Sequence, residues 1–243
     1  MWEFILTECV FFSQKKNIHL IEGMNSSKDE TAKRIPDAPF VLEMPPVETG
    51  GCSILMIGSG RSGKTTALKY ILDKEFKKHL GCIFSQSAKA EAYRHMKYPL
   101  LPLSVCYLPE LMRDAFLVNK DTKNHYPFLF VLDDQPLVKN DKELLKLTTI
   151  YRNSGISGIV CIQSPTLVNP TCRSNFTFIL LFHMNSTEQI EQTIKMYMRG
   201  VFPPGKNYDW KIAEYRRLTA DHHFIFLDNW NGRITRCKLD LSD

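Results

Sequence analysis

Short, continuous apolar runs separated by amphipathic stretches are the main pattern of this chain. The apolar runs predict strands at 52–57, 81–85, 104–108, 127–132, 158–162 and 176–182. Helices are predicted at 65–79, from Pro109 as a short helix, at 142–151, near 186–198 and near 207–218. Strands that are apolar on both faces and alternate with helices are typical of a parallel sheet covered on both sides. The pattern therefore predicts an α/β fold with a mainly parallel central sheet flanked by helices.

The two ends of the chain depart from this alternation. Near the C-terminus, apolar stretches at 224–227 and 233–238 flank Asn231-Gly232, which predicts a β-hairpin. Near the N-terminus, residues 24–50 are polar and then rich in proline, which predicts an extended lead-in with one short strand at 40–42. We therefore expect an N-terminal extension over 1–35, disordered or docked on a partner, and a single α/β domain over 36–243. Whether residues 1–23 belong to the working protein stays open, because Met24 opens a more ordinary polar start.

A glycine-rich stretch joins the first predicted strand to the first predicted helix. Its order of residues fits the G-x-x-x-x-G-K-[ST] pattern, and the strand before it and the helix after it are the context in which that pattern forms a P-loop. Glycines let backbone N–H groups curl around a β-phosphate, and the positive end of the new helix points at the same phosphate. The sequence therefore predicts an ATP site, with Lys64 on the β/γ-phosphates and the hydroxyl of Thr65 on Mg²⁺. The predicted nucleotide-binding residues are Gly58, Ser59, Gly60, Arg61, Ser62, Gly63, Lys64, Thr65 and Thr66.

Composition adds little to this picture. The 243 residues carry a formal net charge of +5, which permits a nucleic-acid partner without requiring one. The seven cysteines show no C-x-x-C spacing and several lie in apolar runs, so we expect a reducing compartment and no zinc site. The apolar N-terminal stretch is short, holds two acids and has no leading basic residue, which fits neither a secretory signal nor a membrane span.

Acidic and amide side chains at the ends of two later strands complete the predicted site. Asp133 and Asp134 follow the apolar run 127–132, so Asp133 is expected to lie beside the P-loop and hold Mg²⁺ through water. Asp134 is expected to orient and deprotonate the attacking water, and adjacent acids at this place favour hydrolysis over nucleotide storage. Gln163, at the end of the fifth predicted strand, is either a sensor of the γ-phosphate or an ordinary loop residue.

Two arginines are candidates for a finger that reaches a neighbouring subunit's γ-phosphate. Arg152 ends a predicted helix, and Arg173 comes just before the sixth predicted strand. On residue type alone, an ordinary surface arginine is the more frequent interpretation of either one.

Taken together in one order, these motifs resemble the genome-packaging ATPases of large DNA viruses of the poxvirus type, which belong to the FtsK–HerA branch of RecA-like motors. The resemblance covers about 50–185, and its specific part is the arginine-then-glutamine arrangement around the fifth strand. This chain has Asp-Asp where many members of the wider branch have Asp-Glu. The matching stretches are the P-loop, Leu129-Phe130-Val131-Leu132-Asp133-Asp134, Tyr151-Arg152-Asn153-Ser154-Gly155-Ile156-Ser157, Ile159-Val160-Cys161-Ile162-Gln163-Ser164, Leu167-Val168-Asn169-Pro170 and Arg173-Ser174-Asn175.

The resemblance implies a RecA-like ATPase that translocates double-stranded DNA, most often into a preformed capsid. It implies that Asp133 is the Walker B acid, Asp134 the catalytic carboxylate, Gln163 the sensor and Arg152 the trans-acting finger. It also implies a homo-oligomeric ring, pentameric or hexameric, a capsid or portal-vertex partner, and a place in the virion or in a cytoplasmic virus factory. Candidate DNA-contacting residues are Arg199, Lys206, Lys211, Arg216 and Arg217, and Lys89, Arg94 and Lys97 in the loop 87–98, although acids interrupt both groups.

Three other functions stay open at this stage. A cellular translocase or helicase of the same branch would share the mechanism and differ in biological role. A GTP switch that binds a protein partner would need an Asn-Lys-x-Asp motif, and Asn119-Lys120-Asp121 lacks the spacer. A small-molecule kinase would need an arginine-rich lid, and none is evident.

Overall fold

The computed structural model describes residues 35–46, 50–85, 93, 105–123, 126–135 and 141–241. Within this part of the chain the strands are β1 (Ser53–Ile57), β2 (Leu80–Ser85), β3 (Phe128–Asp133), β4 (Ile156–Ile162), β5 (Phe178–Leu181), β6 (Phe224–Asp228) and β7 (Arg233–Cys237). The helices are α1 (Lys64–Glu75), α2 (Leu108–Thr122), α3 (Lys142–Thr148), α4 (Pro170–Asn175), α5 (Thr187–Tyr197) and α6 (Tyr208–Leu218). Short 3₁₀ turns lie at Val105–Tyr107, Tyr151–Ser154 and Pro165–Leu167.

The seven strands form one sheet in the order β2-β3-β4-β1-β5-β6-β7. The first five in this order are parallel, and β6 and β7 continue the sheet as an antiparallel hairpin beside β5. The predicted α/β class, the mainly parallel sheet and the C-terminal hairpin are therefore confirmed. Because β4 lies between β1 and β3, the loop after β4 separates the P-loop from the acids that end β3.

Side chains of the central strands alternate between two hydrophobic layers. In β1, Leu55 and Ile57 face the layer that buries α2 to α6, whereas Ile54 and Met56 face the layer that buries α1. The lead-in contributes Phe40 and Leu42 to the second layer. Both faces are covered, which explains why the parallel strands are apolar throughout.

Two predicted strands are wrong. The run 104–108, of which Ser104 lies outside the described residues, contains a 3₁₀ turn and the start of α2 instead of a strand. Leu108, Met112 and Ala115 are buried at helical spacing, and Pro109 occupies the first turn, where a helix tolerates proline. Residues 40–42 form no strand either, because within the described residues 35–46 the lead-in pairs with the sheet only through the bridge between Asp37 and Arg236.

Two parts of the sequence-based description lie outside the described residues. One is residues 1–34 of the predicted N-terminal extension, and the other is the basic loop after β2 with Lys89, Arg94 and Lys97. In the described part of the chain, no helix is both long and apolar enough to cross a membrane.

Candidate nucleotide-binding site

The P-loop connects β1 to α1 at the centre of the sheet. Gly63 precedes α1 with φ 98°, a conformation that glycine adopts without steric cost, and Arg61 also has a positive φ of 62°. No side chain caps α1, so the first backbone N–H groups of this helix have no partner within the helix. Groups of this kind, at the positive end of a helix, bind phosphate.

Lys64 is buried and its ammonium group lies inside the P-loop. Its Nζ donates hydrogen bonds to the carbonyl oxygens of Gly58, at 2.7 Å, and Ser59, at 2.9 Å. Burial lowers the pKa of Lys64, and the negative charges of Asp134 and Asp133 oppose this effect. The site therefore holds one cation beside two acids in a place with little solvent.

Asp133 is the last residue of β3 and is 4% exposed. The hydroxyl of Tyr93, which is 5% exposed, donates a hydrogen bond to Oδ2 of Asp133. Burial raises the pKa of Asp133, whereas the Tyr93 hydrogen bond lowers it. Nothing in the local sequence indicated Tyr93, because it is separated from Asp133 by forty residues and meets it only through the fold.

Asp134 and Gln163 are brought together at the carboxyl ends of neighbouring strands. Asp134 is exposed and has a positive φ of 49°, which is unusual for a residue with a side chain and turns it away from the course of β3. Nε2 of Gln163 lies 3.3 Å from Oδ1 of Asp134 and donates to it. The backbone N–H of Asp134 donates to the carbonyl oxygen of Cys161 at 3.3 Å, which ties the turn to β4.

The residues of this edge fit a nucleotide and its metal. A Cβ atom built on Gly60 or Gly63 would meet no atom within 4 Å, so the loop leaves open space at its glycines. Oγ of Ser62 is buried without a hydrogen-bond partner in the described part of the protein. Thr65 presents an exposed hydroxyl in the first turn of α1, and hydroxyl and carboxylate oxygens are ligands that Mg²⁺ prefers. Thr65 and Asp133 could hold Mg²⁺, and the loop amides with Lys64 could hold the phosphates.

Gln135 is a second buried residue that the sequence did not indicate. It is 6% exposed, and its Nε2 donates to the backbone carbonyl of Asp133 at 3.3 Å. Its Oε1 is buried and has no partner among the described residues. A buried amide oxygen of this kind is an acceptor left open beside the two acids.

Arg152 lies at the opposite edge of the sheet, in the 3₁₀ turn that precedes β4. Its Nη1 donates to the backbone carbonyl of Asn175, just before β5, at 3.1 Å. The backbone carbonyl of Arg152 accepts from Gly51, before β1. Burial lowers the pKa of Arg152. Arg152 therefore lies beside the start of β1, whereas the P-loop follows its end. Because the five residues of β1 lie between them, Arg152 does not reach the phosphate site of its own chain.

Arg173 is held by α4 and α5. Its Nη1 donates to the backbone carbonyl of Val168 at 2.7 Å, and its guanidinium carbon lies 5.8 Å from the ring centre of Tyr197. Both candidate arginines are therefore half-buried and engaged within the chain.

Solved structures with a similar fold are known. The genome packaging NTPase B204 from Sulfolobus turreted icosahedral virus 2, in complex with sulfate, superposes with a TM-score of 0.58 at 16% identity, covering 79% of this chain and 98% of that one. The same NTPase in complex with AMPPCP gives a TM-score of 0.57 at 14% identity, covering 78% of this chain and 98% of that one. The pCW3 conjugation coupling protein TcpA, with ATPγS, gives 0.55 at 14% identity and covers 86% of this chain and 66% of that one.

A further solved structure is matched over a smaller share of its own length. EssC (ATPases 2 and 3) from Geobacillus thermodenitrificans gives a TM-score of 0.52 at 13% identity, covering 78% of this chain and 39% of that one. The sequence matches no protein-family model, and no curated protein matches it at a significant level. At these identities the comparisons concern the fold, and for the fold they confirm the resemblance that the sequence motifs indicate. The chain has the P-loop NTPase fold that is found in a viral genome-packaging NTPase and in ATPases such as EssC.

Proposed function

We propose that this chain hydrolyses ATP and uses the reaction to move double-stranded DNA, namely a viral genome that enters a preformed capsid. The observation that supports the hydrolytic part is the grouping of Lys64, Asp133, Asp134 and Gln163 at one edge of the sheet, beside an uncapped helix N-terminus. A binding module would need the phosphate loop, but it would have no use for a second, exposed acid held by an amide.

Each residue has a distinct role in this proposal. Lys64 and the P-loop amides bind the β- and γ-phosphates, and Thr65 and Asp133 hold Mg²⁺, which when bound neutralises charge that develops during phosphoryl transfer. Asp134 accepts a proton from the attacking water. Gln163, which donates to Asp134, holds that carboxylate in place and senses the γ-phosphate.

The location of Arg152 supports a ring. An arginine at the amino edge of the sheet is remote from its own P-loop, so a catalytic role requires a neighbouring copy that presents its phosphate site to this edge. The carbonyl of Asn175 that now accepts from Arg152 is a weak partner for a guanidinium, which prefers phosphate or carboxylate. We therefore propose a homo-oligomeric ring, pentameric or hexameric, with Arg152 rather than Arg173 as the finger.

DNA as the cargo and packaging as the role rest on the relatives by fold. The virus NTPase B204 is named for genome packaging, and it covers most of this chain with almost its whole length. A capsid or portal-vertex protein is then the expected partner, with the N-terminal extension over 1–35 as the docking segment. The place of action would be the virion or a cytoplasmic virus factory. A cellular DNA translocase is the second candidate, because the conjugation coupling protein TcpA has a similar TM-score.

The decisive experiment measures the ATPase rate with and without double-stranded DNA for the wild type and for Arg152→Ala, with the assembly state followed by light scattering. We expect DNA to stimulate the wild type, and Arg152→Ala to lose activity while it still assembles. If DNA does not stimulate hydrolysis and Arg152→Ala leaves the rate unchanged, both the finger assignment and the motor function are wrong. The chain would then be an NTPase with another partner.

A further inference from the structure

A groove lies between the end of α5 and the start of α6, outside the nucleotide site. Its volume is about 350 Å³, and its lining includes Lys195, Arg199, Phe202, Tyr208 and Lys211. Lys206 and Trp210 stand next to it, with the ammonium group of Lys206 5.5 Å from the centre of the Trp210 ring. We call these seven residues the α5–α6 groove.

Most of the positive charge of this groove is not neutralised within the chain. Among the described residues, Arg199, Lys206 and Lys211 form no ion pair, whereas Lys195 pairs with Glu191 at 2.6 Å. Asp209 is the exposed acid of the first turn of α6. Four cations against these two acids leave the groove positive.

Other basic residues of the same helix pair are engaged in different ways. Arg217 forms an ion pair with Glu214 at 2.7 Å, and Nη2 of Arg216 donates to the hydroxyl of Thr187 at 2.8 Å. The structure thus separates the five basic residues that the sequence offers in this region into two groups. Arg199, Lys206 and Lys211 belong to the groove, and Arg216 and Arg217 lie at the other end of α6.

Aromatic rings hold the ammonium groups of the groove in place. The ring of Tyr208 has Lys195 at 4.9 Å and Lys211 at 5.1 Å from its centre, so two cations share one ring. Phe202 meets Trp210 edge to face at 6.2 Å. Tyr208 and Trp210 remain 39% and 37% exposed. Cations positioned on exposed rings form a surface that is suited to a polyanion, because less side-chain entropy is lost on binding.

The helix that carries one side of the groove also contacts the nucleotide site. Just before α5, the backbone N–H of Asn185 donates to Oγ of Ser59 in the P-loop at 3.0 Å. At the other end of α5, the hydroxyl of Tyr197 donates to the carbonyl of Pro165, two residues after Gln163, at 3.1 Å. Hydrogen bonds at both ends of α5 therefore join it to loops of the nucleotide site.

We propose that the α5–α6 groove binds the phosphodiester backbone of double-stranded DNA. This inference rests on the proposed function and locates the DNA contact of the motor on one helix pair. Backbone contacts by lysine and arginine carry no sequence preference, which suits a protein that moves along DNA of any sequence. Because α5 contacts both nucleotide loops, the proposal also couples DNA binding at the groove to the nucleotide bound at the ATP site.

The test is binding of a fluorescent 30-base-pair duplex, measured by anisotropy between 50 and 200 mM salt. The test variant is Lys206→Glu/Lys211→Glu. The matched control is Lys77→Glu/Lys120→Glu, which makes the same change of charge at exposed positions in the turn after α1 and on α2. A neutral variant, Lys206→Gln/Lys211→Gln, separates loss of contact from added repulsion. Unfolding midpoints check that each variant folds.

We expect the test variant to bind at least about tenfold more weakly than the control, and its plot of log affinity against log salt to lose about 2 from its slope. The neutral variant should lose a similar part of the slope. If a single strand of the same length binds tightly to the wild type but not to the test variant, the groove would be reassigned to single-stranded DNA and the proposal would be overturned.

The outcomes separate the two proposals. If the wild type binds the duplex and the test variant binds it as tightly as the control does, the proposed DNA contact at the groove is wrong, whereas the proposed motor function is unaffected. If the wild type hydrolyses ATP but binds no duplex at any salt concentration, the motor itself fails. Loss of binding to an acidic protein, with duplex binding intact, would make the groove a protein-docking surface and contradict the inference.

Discussion

The two edges of the parallel sheet carry charged groups in different ways. At the carboxyl edge, Lys64, Asp133 and Asp134 lie at the P-loop, which leads into a helix that no side chain caps. At the amino edge, Arg152 and His79 are held against the backbone or buried, with no carboxylate ion pair among the described residues. The first edge therefore has charged groups beside an uncapped helix N-terminus, whereas Arg152 at the second edge is engaged with the backbone of its own chain. The proposed ring would bring the first edge of one subunit to the second edge of its neighbour.

The largest expected effect is on the rate of ATP hydrolysis when the phosphate site is disabled in one chain and Arg152 in another, and the two chains are then mixed. Lys64→Ala should disable the proposed phosphate site, and Arg152→Ala should disable the proposed finger, which is worth about 10³–10⁵ in rate in related chemistry. Each variant alone should be nearly inactive in ATP hydrolysis with DNA. An equimolar mixture should regain a measurable fraction of the wild-type rate, because intact sites then meet intact fingers.

The mixture also separates a finger from a structural arginine. If Arg152 only supports the fold through Asn175, mixing would restore nothing. Two fluorescent labels verify that the two variants exchange subunits, so that a mixture that stays inactive cannot be explained by a failure to mix.

Next in size is the loss of the proposed general base. Asp134→Asn should lower the hydrolysis rate by about 10²–10⁴ and leave ATP affinity within a few fold, because the amide cannot accept the proton of water. Single-turnover hydrolysis and equilibrium binding of a fluorescent ATP analogue measure the two quantities. An equal loss of affinity would instead place Asp134 among the groups that bind the ground state.

Asn is also a partner for Gln163, so the change preserves one contact of the site. Gln163→Ala is the matched variant. It should lower the rate less than Asp134→Asn, because it removes the amide that holds the carboxylate and senses the γ-phosphate but leaves the proposed general base in place.

A smaller effect is expected for the contact between Tyr93 and Asp133. Tyr93→Phe leaves a buried carboxylate without its donor and should lower the free energy of unfolding by about 1–3 kcal/mol. In the background of Asp133→Asn the same change should cost less. A double-mutant cycle by urea denaturation measures the coupling between the two groups, and additive effects would show that the hydroxyl does not support the acid.

The smallest expected effect is a pH dependence at the amino edge. Burial lowers the pKa of His79 from 6.5 to about 4, and its Nδ1 has no partner among the described residues. The unfolded chain therefore binds a proton between these values before the folded chain does, so stability falls as the pH falls from 6.5 towards 4. The difference in unfolding free energy between the wild type and His79→Gln should shrink over this range. A constant difference would mean that His79 does not titrate with folding.

Much of the carboxyl edge could be predicted from sequence because its signals are local. The P-loop depends on glycines at fixed spacing between a strand and a helix, and the acids directly follow an apolar strand. The run 104–108 shows the limit of such reasoning. Four apolar residues in a row suit a buried strand or a buried helix equally, and the helical spacing of Met112 and Ala115 decides the matter only over a longer stretch.

Sequence by itself determined the class of fold, the strands of the sheet and the phosphate loop, because hydrophobic period and turn chemistry act over a few residues. Tertiary structure alone decided the order of the strands, and with it the placement of β4 between β1 and β3, which joins Gln163 to Asp134. It also decided that Tyr93 meets Asp133 and that the packing of α5 on α6 brings Lys195 to the ring of Tyr208. These contacts join residues far apart in the chain, and their free energy depends on packing that no local pattern records.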